Sequence, residues 1–485
     1  MGETKEKRYV SPKETLAYGF ANGGQCFGYN LVAGGYLSLF FTKVFEIPAP
    51  AVSTMILFLG IWDTINDPLM GAIVDKTRTR YGKLRPYLLF VPLPLSVTTI
   101  LLFSGPLILA DAKSVTVKIV YMYLSYFIWE FFYTIGDIPF WGMSAAISPN
   151  PADRTRCISS ARFISGIVGG LSGTILVMLM DLSNYGKISL SLAQVFCLMA
   201  VIAGTFGMGL FSLAGIKCKE RVVQTVKEPS VIEGFKVMWR NKPLLLIICA
   251  NVIGTLGGLA GVFQTYYLAE VININSLMLL IGLPGTLVGW ATYLVIPKLK
   301  KRFDNRQIIF LNGITRITVA TLVFVIGFKH YNKVGVILPL LMIRNVIFSF
   351  FDTINSVIPT EMIGDTVDYM EWKTGERNEG VSFSVLTFIG KLTGSVSTSV
   401  ATALLPVIGL AYVRVDGVQT TVKGEHTDLL IWTFFSFVPY VIGALGLIPY
   451  FWYDLTGDKL KQIRADLKER HNELSKKVSG GEQDG

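Results

Sequence analysis

Residues 49–75 read APAVSTMILFLGIWDTINDPLMGAIVD. A helix needs roughly 20 apolar residues to cross about 30 Å of hydrocarbon, and this run is long enough. Yet it holds two carboxylates, Asp63 and Asp67, four residues apart. On a helix that spacing stacks them on one face, one turn from each other. Each acid placed in hydrocarbon costs roughly 2.5–3.5 kcal/mol on insertion scales. Two adjacent carboxylates also repel unless a cation or proton sits between them. A chain that accepts this cost twice on one face is expected to use the pair, holding a small cation or proton beside a water-filled path. Asn66 lies between them as a further oxygen ligand suited to sodium.

The rest of the chain has the same character. Of its 485 residues 51% are hydrophobic and 16% charged, with a mean hydropathy of +0.51; ordinary soluble domains are about 25% charged. Twelve apolar stretches predict membrane crossings at 16–42, 49–75, 86–109, 119–147, 158–182, 189–216, 243–272, 276–297, 307–328, 334–361, 381–413 and 428–453. No stretch shows the strict alternation over about ten residues of a transmembrane barrel strand. The expected fold is an all-α membrane protein of twelve transmembrane helices in two six-helix bundles. The expected divisions are an N-terminal bundle (1–216), a central cytoplasmic loop (217–242), a C-terminal bundle (243–453) and a cytoplasmic tail (454–485). The loop's second half, 230–239, reads as a short surface helix; the tail reads as a surface helix with a disordered end. The polar N-terminus lacks a cleavage site after an early apolar core, so no cleaved signal peptide is expected.

With these spans, 32 Lys and Arg fall on the side of the N-terminus and 8 on the other. By the positive-inside rule both termini are cytoplasmic, in the cell membrane. The net charge of +10 is thus a topology signal. Its spread over short loops and a tail disfavours nucleic acid as a partner and leaves the lipid bilayer. Four cations, Arg162, Arg316, Arg344 and Lys391, fall inside spans and must pair or face water; Asp352 is a candidate partner for Arg344. The five cysteines show neither a disulfide framework nor metal-ligand spacing. No Walker A motif or other enzyme signature occurs, so neither catalysis nor a cofactor is expected. A channel would need a filter or a charged ring, and neither is seen.

Span four carries YTIGDIPFW, residues 133–141. Thr134, Asp137 and Trp141 share one helical stripe. A hydroxyl beside a carboxylate suits a hard cation, and an indole one turn on suits the C–H face of a sugar ring, the alternative being an interfacial anchor. Glu130 lies on roughly the same side. The Arg162 guanidinium can grip vicinal hydroxyls or a carboxylate; the alternative for Arg162 and Lys391 is a structural ion pair. The mixed-charge stretch 364–377 suggests a gate in which Asp365 and Asp368 pair with Arg154 or Arg156 when the inner side is closed. Such pairs must break on opening and should be individually weak. Glycine runs at 166–173 and 254–261 suggest close helix packing.

WDTINDPLMG (62–71), DKTRTRYGKLRPY (75–87), YTIGDIPFW, DRTR (153–156) and DTVDYMEWKTGER (365–377) occur in the order and spacing of one family. The chain resembles, over roughly 14–453, the glycoside–pentoside–hexuronide:cation symporters of the major facilitator superfamily, the group that includes melibiose permease. The resemblance implies symport of a small glycoside with Na⁺, H⁺ or Li⁺ by alternating access, in a protein functional as a monomer. It implies cation ligands at Asp63, Asp67, Thr134 and Asp137. It implies sugar contacts at Asp137, Trp141 and Arg162, with Lys391 beside the site. Two positions depart. Gln25 and Cys26 stand where melibiose permease has a Lys-Asp pair, and Gly60 replaces an arginine. The acid that recognises galactosides is therefore missing, with Cys26 in its place and Gln25 in the lysine's; Gln25 is expected at the sugar site, and a hexuronide becomes a candidate substrate. An uncoupled facilitator or exchanger and a non-transporting membrane sensor are the competing expectations.

Overall fold

The computed structural model describes residues 8–481 apart from 33–34, 113, 223–238, 301, 376–378 and 416–417. The surface helix expected at 230–239 thus falls almost wholly outside the described residues. The elements needed below are α1 (Pro12–Val32), α2 (Gly35–Leu39), α3 (Ala49–Lys76), α4 (Arg85–Phe90), α5 (Pro92–Ile108), α6 (Val115–Ala146) and α7 (Pro151–Asn184). They continue with α8 (Lys242–Thr255), α9 (Leu277–Thr292), α10 (Asn305–Gly327), α11 (Val334–Thr374), α12 (Glu379–Val407), α13 (Thr427–Ser436), α14 (Val438–Ala444) and α15 (Gly457–Gly481).

Each of the twelve expected spans overlaps a helix or a run of consecutive helical segments. Seven of the described helices are long and apolar enough to cross a membrane by length and composition; α5 and α9 are apolar but shorter. Boundaries differ at two spans in particular; α11 runs on to Thr374, past the 361 expected for span ten. Span eleven was expected to run to residue 413, but α12 ends at Val407 and is followed by an antiparallel hairpin, Leu410–Val415 with Val418–Lys423. Pro406 and Gly409 explain the stop. Gly409 has φ +84°, a conformation that costs glycine little. Beyond it, Val, Tyr and Thr at alternating positions favour a strand pair.

The chain forms two compact units. The first comprises 1–226, 261–278 and 398–431; the second comprises 227–260, 279–397 and 432–485.

In the first unit α1 lies along α7 with almost no space between them. A methyl at Gly19 would come within 2.5 Å of Ser160 Oγ, and one at Gly23 within 3.0 Å of Val168 Cβ. The glycine run at 166–173 contributes less than its sequence suggests. Only Gly169 meets a neighbour, Cys26, whereas Gly166, Gly170 and Gly173 face open space. The turn after α3 closes at Gly82, φ +113°, and the Glu220 carboxylate accepts from the backbone N–H groups of Lys83, Leu84 and Arg85 at 2.9–3.0 Å. An acid there meets the positive end of α4.

In the second unit a core of aliphatic side chains from α8, α10 and α11 also takes in Ile463 and Leu467 of the tail. The tail begins as a helix as expected, and α15 is packed rather than merely superficial. Trp372 donates to Asp466 at 2.9 Å, and Arg464 reaches Asp365 at 2.6 Å. Asp352 pairs with Arg316 at 2.6 Å, not with Arg344. The Arg344 guanidinium instead lies 4.4 Å from the ring centre of Phe435.

Candidate functional site

Four helices of the first unit bring the expected polar side chains into reach of one another. On α3, Asp63 and Asp67 are half-buried and Asn66 is 6% exposed. On α6, Thr134 is 1% exposed and donates to Asp63 Oδ1 at 3.3 Å. From α1, Gln25, 2% exposed, donates through Nε2 to Asp137 Oδ1 at 2.7 Å. Close packing of α1 against α7 fixes that approach. From α7, the Arg162 guanidinium stacks over Trp141 with 4.6 Å to the ring centre. Thr134 thus meets a carboxylate of α3 rather than Asp137 on its own helix, and the stacking of Arg162 on Trp141 is a contact that the sequence reading did not foresee.

The carboxylates divide between two partners. Asp63 meets Thr134, while Asp137 meets Gln25. Among the described residues no three His, Cys, Asp or Glu side chains converge to hold a metal ion. A monovalent ion needs no such cage; two carboxylates one turn apart and a hydroxyl supply oxygen donors of the right hardness. The amide nitrogen of Asn66 is buried with no hydrogen-bond partner, which marks polar capacity held in reserve beside the acids. Lys391 lies half-buried on α12, in the second unit.

Several neighbours escaped the sequence reading. Tyr29 stacks on Tyr133 and Trp129 on both Tyr133 and Tyr126, forming an aromatic column beside buried Glu130. Trp129 is held by donating to Thr99 at 3.0 Å. The i, i+3, i+4 spacing of 126, 129, 130 and 133 carried the signal, but aromatic spacing on an apolar helix usually means only core packing. Asn22, 2% exposed with an unpartnered carbonyl oxygen, sits one turn before Gln25.

The expected gate residues are engaged inside their own units. Arg154 donates to the Ser148 carbonyl at 2.6 Å, and Arg156 pairs with Asp153 at 3.0 Å. Asp153 also accepts from the N–H groups of Tyr9 and Val10, at 2.8 and 3.2 Å. Asp365 is held by Arg464, and Asp368 lies one turn further along α11. Nearby, Glu14 grips Arg221 in a two-pronged pair, both contacts 2.8 Å, and these bonds hold the guanidinium above its ordinary pKa.

The opposite end of the first unit is closed by a polar clasp. Lys43 pairs with Glu270 at 2.6 Å, their side chains 16% and 5% exposed. Tyr412 of the hairpin donates to the same carboxylate at 2.9 Å. Burial, then the Glu270 charge, raises the Tyr412 phenol well above its usual range, so it stays a donor. Below the clasp, Ser38 bonds Tyr266 and Thr402 at 2.8 and 2.9 Å, and Ser53 donates to the Ser399 carbonyl at 2.9 Å.

A family model described as MFS/sugar transport protein matches residues 19–457. The glucuronide carrier protein homolog of Escherichia coli (strain K12) is 28% identical over 444 residues, covering 90% of this chain and 91% of its own. The isoprimeverose transporter of Lactiplantibacillus pentosus is 27% identical over 469 residues, covering 96% and 93%. Among solved structures, the nucleoside transporter NupG superposes with a TM-score of 0.61 at 12% identity, covering 91% of this chain and 100% of that one. That likeness bears on the fold alone.

Proposed function

The chain belongs to the MFS/sugar transport protein family and is an integral membrane transporter, not an enzyme; on that footing we propose that it imports a small glycoside together with a monovalent cation. The coupling ion is Na⁺ or H⁺, with Li⁺ as a substitute. It binds at Asp63, Asp67 and Thr134, with Asn66 and Asp137 adjoining. The sugar binds against Trp141 and Arg162, with Asp137 and Gln25 receiving its hydroxyls and Lys391 completing the charge balance. The observation that carries this reading is the pair of contacts, Thr134 to Asp63 and Gln25 to Asp137. They tie an ion-binding face to a sugar-binding face through one helix, α6. Coupling is then a free energy shared by neighbouring sites, and it must be reciprocal.

Three acids against Arg162 and Lys391 leave one negative charge, which a monovalent cation cancels. Because Cys26 is neutral where an acid would repel, a hexuronide is accepted as well as a neutral glycoside. The names of two relatives, a glucuronide carrier homolog and an isoprimeverose transporter, support both substrate classes. Alternating access runs between a state with the Lys43–Glu270 clasp shut and one with it open. On the inner side, the gate is formed when Asp365 and Asp368 exchange their present partners for Arg154 and Arg156. The termini are cytoplasmic, the membrane is the cell membrane, and the monomer suffices. Uptake of labelled glycosides into proteoliposomes, with Na⁺ and pH gradients imposed separately, tests the reading. Uptake driven by one gradient supports it. Uptake indifferent to both leaves a facilitator, and binding without flux leaves a sensor.

A further inference from the structure

The second unit contains a cavity of about 440 Å³ among α8, α10, α11 and α14, within the roughly 300–1,000 Å³ typical of ligand pockets. We propose that it is a separate binding pocket for a neutral, hydroxyl-rich molecule of monosaccharide size, recognised by Asn251, Thr255, Asn312, Arg316, Asn355 and Tyr440. Asn312 is 4% exposed, and its carbonyl oxygen is buried without a partner. Membrane bundles do not keep such an atom unpaired without cost. Asn251 donates to the Ile247 carbonyl at 2.9 Å, which leaves its own oxygen for a guest. Asn355 makes no side-chain hydrogen bond among the described residues. Three amides therefore offer both donors and acceptors around one space, the pattern that matches hydroxyl groups.

Charge narrows the guest further. Arg316 is neutralised by Asp352 at 2.6 Å and lies flat against Phe348, 4.9 Å from its ring centre. Among the described residues no other charged side chain lines the cavity. An anion would find no net positive charge, a cation no free acid, and a lipid tail too many amides. Tyr440, packed on Phe348 with 5.0 Å between ring centres and lying under the Arg316 guanidinium at 5.9 Å, adds an aromatic wall. Gly254 of α8, with Gly257 and Gly258 just beyond it, keeps the space open. A side chain at Gly254 would meet only the Gly443 carbonyl, at 4.0 Å, so it can be filled without a clash at its base.

The test reads binding, not flux, and so stands apart from cation coupling. Full-length protein in lipid nanodiscs is probed with D-xylose and D-glucose by saturation-transfer NMR, in an Arg162→Ala background that disables the site proposed in the first unit. Transfer to the sugar is expected to persist in Arg162→Ala. Adding Asn312→Leu, or independently Gly254→Leu, is expected to weaken it about tenfold or more, as when a buried hydrogen-bonding partner is removed. Circular dichroism melts confirm that each variant folds. Loss of all transfer in Arg162→Ala alone, or undiminished transfer in both double variants, would overturn the proposal and leave the cavity as a water pocket.

Discussion

Lys43→Met tests whether the outer clasp holds a transport state shut. The pair is short, 2.6 Å, and both side chains are mostly removed from solvent. Taking away the lysine leaves the Glu270 carboxylate, 5% exposed, with the Tyr412 hydroxyl as its remaining side-chain donor among the described residues. Breaking a buried pair by removing one partner costs about 3–5 kcal/mol. If that cost falls on the closed state alone, the open population rises by about 10²–10⁴-fold. Ser53 is the reporter, because it is 8% exposed and bonded to Ser399 below the clasp. In a background with the natural cysteines replaced, Ser53→Cys should react slowly with an impermeant maleimide added outside the cell. Lys43→Met should speed that reaction strongly. The double variant Lys43→Met/Glu270→Gln should recover most of the slow rate, since exchanging both charges for neutral groups strands neither. An unchanged rate in correctly inserted Lys43→Met would refute the reasoning. So would a double variant as fast as the single one, because the stranded charge would then not be the cause.

Asp67→Cys should abolish cation-stimulated sugar binding while insertion is retained, read as the ratio of binding with and without Na⁺ or at two pH values. Thr134→Val removes the donor to Asp63 and should weaken the cation response by about 3–10-fold, the range of a single hydrogen bond; an equal fall in sugar affinity without cation would count against a role in the ion site. Trp141→Leu loses the stacked guanidinium and the ring face, worth about 0.5–2 kcal/mol, so the KM for sugar should rise by about 2–30-fold with the cation response intact. For Tyr412 the raised phenol pKa means that its contribution is full below the unfolded value, about 10, and is lost only as pH climbs through the higher folded value. The thermal-stability gap between wild type and Tyr412→Phe should therefore be constant through neutral pH and shrink only in strong alkali; a gap that closes near neutrality would contradict the assignment.

Residues whose meaning is set by cost are legible in the sequence alone. Acids at 63 and 67 stand out because hydrocarbon penalises them, and the helix spacing by itself puts them on one face. The spans are legible for the same reason, since length and apolarity are demanded by the bilayer. Where a side chain's meaning depends on what lies opposite, the sequence is silent. Asp352 has two arginines within reach along the chain, and only packing gives it to Arg316. Asp365 reads as half of a gate, yet its present partner comes from the tail, 99 residues away. The glycine run at 166–173 invites close packing, but the tight seam follows Gly19 and Gly23, because it is the partner surface of α7 that determines which glycines are pressed.

The same distinction explains how the carboxylates are shared out. A helix pattern can state that Asp63, Asp67, Thr134 and Asp137 face one region; it cannot state which acid each neighbour satisfies. The deciding residue is Gln25, and it is brought into reach by glycines that carry no chemistry of their own. With α1 pressed against α7, the Gln25 amide lies 2.7 Å from Asp137 and leaves Thr134 to Asp63. An amide donor stabilises the carboxylate by a charge-assisted hydrogen bond without adding net charge. The acid proposed for the sugar, Asp137, is thus oriented by α1, and the acid proposed for the ion, Asp63, by Thr134 of α6. Any shift of α1 relative to α6 acts on Asp137 directly. Movement of α3 relative to α6 acts first on Asp63. On the proposed reading, two sites that share α6 but answer to different neighbours would let ion binding and sugar binding be coupled without being the same event.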